Sequence, residues 1–171
     1  MDPKQLEKKV YRYFESGYHC AEVITRTVLE EFMPPPHEPL VRAASGFGGG
    51  IAGTMTALCG AFTGGVLALG ALSGRANPGD ELIRCGTLVT AFKSYFQDQF
   101  GSLDCPTLVQ GFGTERAARG CARLTVDTAV MLSEMLQEFE SQKDVYNELA
   151  AAGHKAGLRC PFTAGRQAVS V

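Results

Sequence analysis

Tryptophan is missing from this chain, and only 9% of its residues are aromatic. Sequence-tolerant binding of single strands relies on aromatic faces that stack bases, so this scarcity speaks against such a role. Charge of either sign is also in short supply: 16 Lys and Arg against 18 Asp and Glu leave a net charge of −2. Without a basic stripe there is no electrostatic footprint for nucleic acid. No segment alternates apolar and polar residues as a half-buried strand would, and no segment repeats. No pair of cysteines forms C-x-x-C, so neither a zinc finger nor a thioredoxin-type site is signalled. Residues Met1–Gln5 are polar with no apolar segment behind them, so no signal peptide is expected and a cytoplasmic location is.

A long unbroken apolar run is lacking too. Ala43 to Gly74 carries no charge between Arg42 and Arg75. Its first half, Ser45 to Thr56, is broken by glycines, and only Ala57 to Leu72 is convincingly apolar. A membrane span needs about 20 mostly apolar residues, so a buried central helix is the expectation and a membrane partner is not. Gly60 and Gly64 are four residues apart. On a helix they share one face and let a second backbone approach closely.

What remains reads as helices. Leu6, Val10, Tyr13 and Phe14 fall at helical spacing, and this first helix ends near Ser16–Gly17. A second helix places Cys20 in its first turn, carries an i,i+4 ladder of Glu22, Arg26 and Glu30, and stops at Pro34–Pro35–Pro36. A short helix over Leu40–Ala44 leads into the glycine-rich turn Gly46–Gly53. The central helix covers about Ala57 to Leu72. A fourth long helix runs from Glu81 to Phe100 with Leu82, Cys85, Val89, Phe92 and Phe96 as its stripe, and Gly101 closes it. Asp104–Cys105–Pro106 starts a short helix, since Pro is favoured at the first helical position. Gly111–Gly120 reads as a loop, and Cys121 begins the last long helix, faced by Leu124, Thr128, Leu132, Met135 and Phe139. The fold class is all-α: a compact multi-helix bundle around a Gly-rich central helix. Residues 1–140 form one helical domain, and 141–171 a C-terminal extension.

The chain has six cysteines, and at a reducing location they serve more often as thiols, redox groups or metal ligands than as structural disulfides. Four of them, Cys20, Cys59, Cys105 and Cys121, share one placement at an expected helix start. Free N–H groups and the helix dipole favour a thiolate there and lower its pKa to about 3.5–7.5. Four such thiols can converge as redox groups or as metal ligands. The bland alternative is four separate buried residues, which is common for free cysteine. Cys85 sits mid-helix on an apolar stripe and reads as core, whereas the role of Cys160 is open. Gly48-x-Gly50-x-x-Gly53 matches a dinucleotide fingerprint, yet it follows no strand and no acidic residue stands about 20 positions on. It is read as a turn between helices. His19, beside Cys20, is read as a polar group near a helix start rather than as a base or ligand.

An ordered set of motifs then points to a family. Gly17–Tyr18–His19–Cys20–Ala21, Ala44–Ser45–Gly46–Phe47–Gly48–Gly49–Gly50, Cys59–Gly60–Ala61-x-x-Gly64, Phe100–Gly101–Ser102 before Cys105, and finally Cys121 resemble the C_GCAxxG_C_C family. The resemblance covers about Leu6 to Leu136. It implies redox activity and puts the family's four defining cysteines on Cys20, Cys59, Cys105 and Cys121, leaving Cys85 and Cys160 as extras. A related domain also occurs joined to haem-binding sequence in an electron-transfer protein, where an iron–sulfur centre is implied. No C-x-x-C-H site is present here, so haem is not carried over. The expectation is therefore a redox or electron-transfer protein. Cys20, Cys59, Cys105 and Cys121 serve it as iron–sulfur ligands or exchangeable thiols, and an electron-transfer partner completes it. A zinc-binding or interaction module without turnover is the alternative. A homodimer is expected, because the glycine-lined apolar run offers more close-packing surface than a few short helices cover.

Overall fold

The computed structural model describes residues 2–113 and 117–141. The extension 142–171, with Cys160, lies outside the described residues. Among the described residues seven α-helices follow in chain order: α1 (Pro3–Glu15), α2 (Cys20–Phe32), α3 (Glu38–Ala44), α4 (Gly60–Ser73), α5 (Ile83–Phe100), α6 (Cys105–Gly111) and α7 (Ala117–Ser141). A single 3₁₀ turn, Ser45–Phe47, follows α3. The described residues form no strand, and the all-α expectation holds.

The apolar spacing fixes which faces turn inward. Leu6, Val10 and Tyr13 of α1 are buried, as are Leu124, Thr128, Leu132, Met135 and Phe139 of α7. The most extensive pairing is α2 with α4, and small residues cause it. A Cβ placed on Gly64 would lie 2.8 Å from the Cα of Ala21. That closeness also lets the Thr25 hydroxyl donate to the Gly64 carbonyl at 3.2 Å. On the other side of α4, Phe62 stacks on Phe92 with centroids 5.4 Å apart, and Phe96 meets Phe62 edge-on. Gly65 lies against Phe92 and Leu132. Gly60, Gly64 and Gly65 are thus covered within the chain, whereas a Cβ on Gly70 of the same helix would meet nothing.

Four helix starts differ from the sequence expectation. Helix α3 begins at Glu38 rather than Leu40, with Pro39 in its first turn. The central helix starts at Gly60 rather than Ala57, because Ala57–Cys59 is drawn into backbone pairing with 103–105. The Cys59 N–H donates to the Leu103 carbonyl and the Cys105 N–H to the Ala57 carbonyl, both at 2.8 Å. Helix α5 starts at Ile83 rather than Glu81, because the Glu81 carboxylate caps it by accepting from the Arg84 N–H at 3.1 Å. Helix α7 starts at Ala117, so Cys121 lies one turn inside it and not at its start. Residues 117–119 are two alanines and an arginine, good helix formers that carry the helix back past Gly120.

The stripe of α5 is shifted as well. Leu88, Phe92 and Phe96 are its buried residues, and Cys85 is only half-buried. The core reading of Cys85 is corrected: the packed face of α5 is set by the aromatics that meet Phe62. Among the described residues, no helix is long and apolar enough to cross a membrane.

Candidate functional site: a cavity walled by four cysteines

Each cysteine is delivered by a different local device. Cys20 is the first residue of α2, and its sulfur packs on the backbone of Gly60, where any Cβ would collide with it. His19 caps that helix through its backbone: its N–H donates to Glu22 Oε2 at 2.9 Å, while Ser45 Oγ donates to Glu22 Oε1 at 2.7 Å. Glu22 therefore ties the start of α2 to the start of the glycine-rich loop, instead of completing a ladder with Arg26. Cys59 is the N-cap residue of α4 and Cys105 the first residue of α6. The backbone pairing around Leu58 and Asp104 sets these two side by side. Asp104 Oδ2 caps α6 by accepting from the Thr107 N–H at 3.2 Å. Cys121 faces in from α7.

Cys20, Cys59, Cys105 and Cys121 line one cavity of about 120 Å³. Leu108 and Phe112 complete its apolar wall, and no polar atom is exposed on it. Cys85 is not part of that lining, nor is His19. Three larger hollows, of about 250 Å³ beside Tyr18 and Arg26, about 470 Å³ beside Tyr95 and Asp127, and about 450 Å³ beside Phe32 and Arg84, contain no thiol.

The electrostatics differ from the helix-terminus expectation. Burial pushes the Cys59 thiol up to about 12, with the neighbouring Cys20 as the next cause. The backbone N–H groups of Phe62 and Ala61 do act on Cys59 in the lowering direction, as a helix start should, but desolvation outweighs them. Cys121 is pushed up to about 11 by burial, then by Cys20 and Cys105. Cys105 is raised by burial, then by Cys20 and Asp104. Thiols raised in this way are protonated at neutral pH and poor nucleophiles while nothing is bound to them.

All four cysteines line the cavity, but they do not gather as ligands of one ion. Among the described residues, no group of three His, Cys, Asp or Glu side chains could hold a single metal ion. The wall nevertheless offers four thiols and no exposed polar atom, a donor type that suits soft metals rather than hard ones.

The glycine-rich loop forms part of the same wall through Gly49 and Met55. Sequence reasoning treated it only as a connection between helices. The signal that could have found it is Gly48–Gly49–Gly50, since a run of glycines suits backbone that turns through left-handed φ or passes close to a neighbour.

The described residues thus form an all-α protein in which four cysteines distant in sequence line one apolar cavity. The pattern of the family described as "Putative redox-active protein (C_GCAxxG_C_C)" matches residues 18–135, and the chain belongs to that family. Neither the curated proteins nor the solved structures contain a match to it.

Proposed function

We propose that the protein transfers electrons through an iron–sulfur cluster held by Cys20, Cys59, Cys105 and Cys121. The observation that carries this reading is the shared cavity: four sulfurs from four helices wall one apolar hollow. Four cysteines are the usual protein donors to such clusters. A single zinc ion would need its sulfurs about 2.3 Å from one centre. Sulfurs spread around a cavity suit a group with several metal atoms better. Bound there, the group would supply one-electron chemistry. The chain's own part is to hold it, to exclude water through Leu108 and Phe112, and to keep oxygen ligands away. Family membership supports redox activity in general.

Purification under strict anaerobiosis tests the proposal. The expected product is brown, contains iron and acid-labile sulfide, and bleaches on addition of dithionite. Colourless protein without iron or sulfide, or protein with one zinc per chain, would overturn it.

A further inference from the structure

The loop between the 3₁₀ turn and α4 breaks two local rules at once. Its backbone runs through the left-handed region at Gly49, Gly50, Ile51, Ala52, Gly53 and Met55, with φ between 53° and 73°. Non-glycine residues enter that region singly and at a cost, and for a β-branched residue such as Ile51 it is a true outlier. The second rule is burial. The buried residues of the loop are Gly48 and Gly50, whereas residues 51–56 are all exposed, Ile51 and Met55 among them. Strain pushes the loop open, and no buried side chain anchors its centre.

What holds the loop in shape is its own backbone. The Ala52 N–H donates to the Gly46 carbonyl at 2.9 Å, Gly53 to Gly48 at 3.0 Å, and Met55 to Gly49 at 2.9 Å. The Thr54 hydroxyl adds a bond to the Gly50 carbonyl at 2.7 Å. The two ends are pinned, by Glu22 on Ser45 and by the pairing of 57–59 with 103–105. Between those pins Gly50 lies directly on Cys105: a Cβ there would stand 2.9 Å from the Cys105 Cβ.

We infer that residues 48–56 are a strained lid over the cysteine cavity, which they wall through Gly49 and Met55, folded by hydrogen bonds within their own backbone and opening by local unfolding, without global unfolding, to give access to the thiols. Segments with few buried apolar contacts open at the low end of a protein's stability range. Strain of this kind persists where the surrounding structure over-determines it, and it clusters at sites that must move or bind. The inference rests on the cavity and the loop geometry, not on the redox reading.

The experiment is hydrogen exchange of the Ala52, Gly53 and Met55 amides in the full chain, wild type against Ile51→Asn and Ile51→Gly. Asn enters the left-handed region readily and relieves the strain without adding the chain entropy of glycine. In the wild type these amides should exchange far faster than those of Val28 and Leu132. Ile51→Asn should slow their exchange about threefold or more, with a smaller slowing for Ile51→Gly. In chelator-treated protein, alkylation of Cys105 by iodoacetamide should slow by a similar factor. The lid is overturned if the loop amides exchange only at the rate of global unfolding, or if neither variant slows them. A protein free of iron and sulfide would undo the proposed cluster and leave this test as decisive as before.

Discussion

At the scale of single residues, the glycines of α4 divide into those that carry contacts and those that do not. Gly60 supports the Cys20 sulfur and also lies near the Phe47 carbonyl, which a Cβ would meet at 3.1 Å. Gly70 has nothing within 4 Å of where its Cβ would be. The same change should therefore have opposite effects. Gly70→Ala removes a flexible residue from a helix and should raise stability by up to about 1 kcal/mol. Gly60→Ala inserts a methyl group into an occupied place and should cost about 1–3 kcal/mol, while displacing Cys20. Urea unfolding of the two variants, with their iron content measured alongside, checks both halves. The spacing of Gly60 and Gly64 made this close approach legible in sequence. The collision with one particular sulfur was not, because it depends on how α2 is seated.

Between elements, the tie from α1 to α2 runs through one carboxylate. Glu30 accepts from Lys9 Nζ at 2.8 Å, Tyr13 Oη at 2.6 Å and Arg26 Nε at 2.9 Å. Burial alone would raise its pKa, but the hydrogen bonds from Lys9, Tyr13 and Arg26 outweigh burial and hold it at about 2. A carboxyl lower in the folded than in the unfolded state stabilises the fold above its unfolded value. That stabilisation is lost as pH falls from about 4.5 to about 2. Glu30→Gln should cost about 2–3 kcal/mol at pH 7 and flatten the acid limb of the stability curve over that window. Denaturant titrations at a series of pH values measure it. A variant as stable as wild type at pH 7 would contradict it. The sequence showed Arg26 and Glu30 at ladder spacing. Lys9 and Tyr13 were hidden, since they come from another helix. Element boundaries were hidden for a related reason. The starts of α4 and α5 are set by the pairing with 103–105 and by the Glu81 cap, neither of which leaves a mark on periodicity.

For the whole molecule, apolar spacing and helix-stop residues made the helix order legible, as they did the four cysteines of interest. Their meeting was an inference from shared placement at helix starts. That placement holds for Cys20, Cys59 and Cys105 and fails for Cys121, which reaches the cavity from inside α7. The sequence reading of their charge erred because burial depends on the assembled wall, and desolvation there exceeds what the helix termini supply. The lid was not legible, because left-handed backbone at Ile51 and Ala52 runs against the preferences of those residues. The central claim is that, among the described cysteines, Cys20, Cys59, Cys105 and Cys121 make one site and Cys85 stands outside it. The most direct measurement is iron and acid-labile sulfide per chain in anaerobically purified single Cys→Ser variants at positions 20, 59, 105, 121 and 85. Each of the first four should lose most of its iron and sulfide while Cys85→Ser keeps the wild-type content. A full complement in any of the four, or its loss in Cys85→Ser, would contradict the claim.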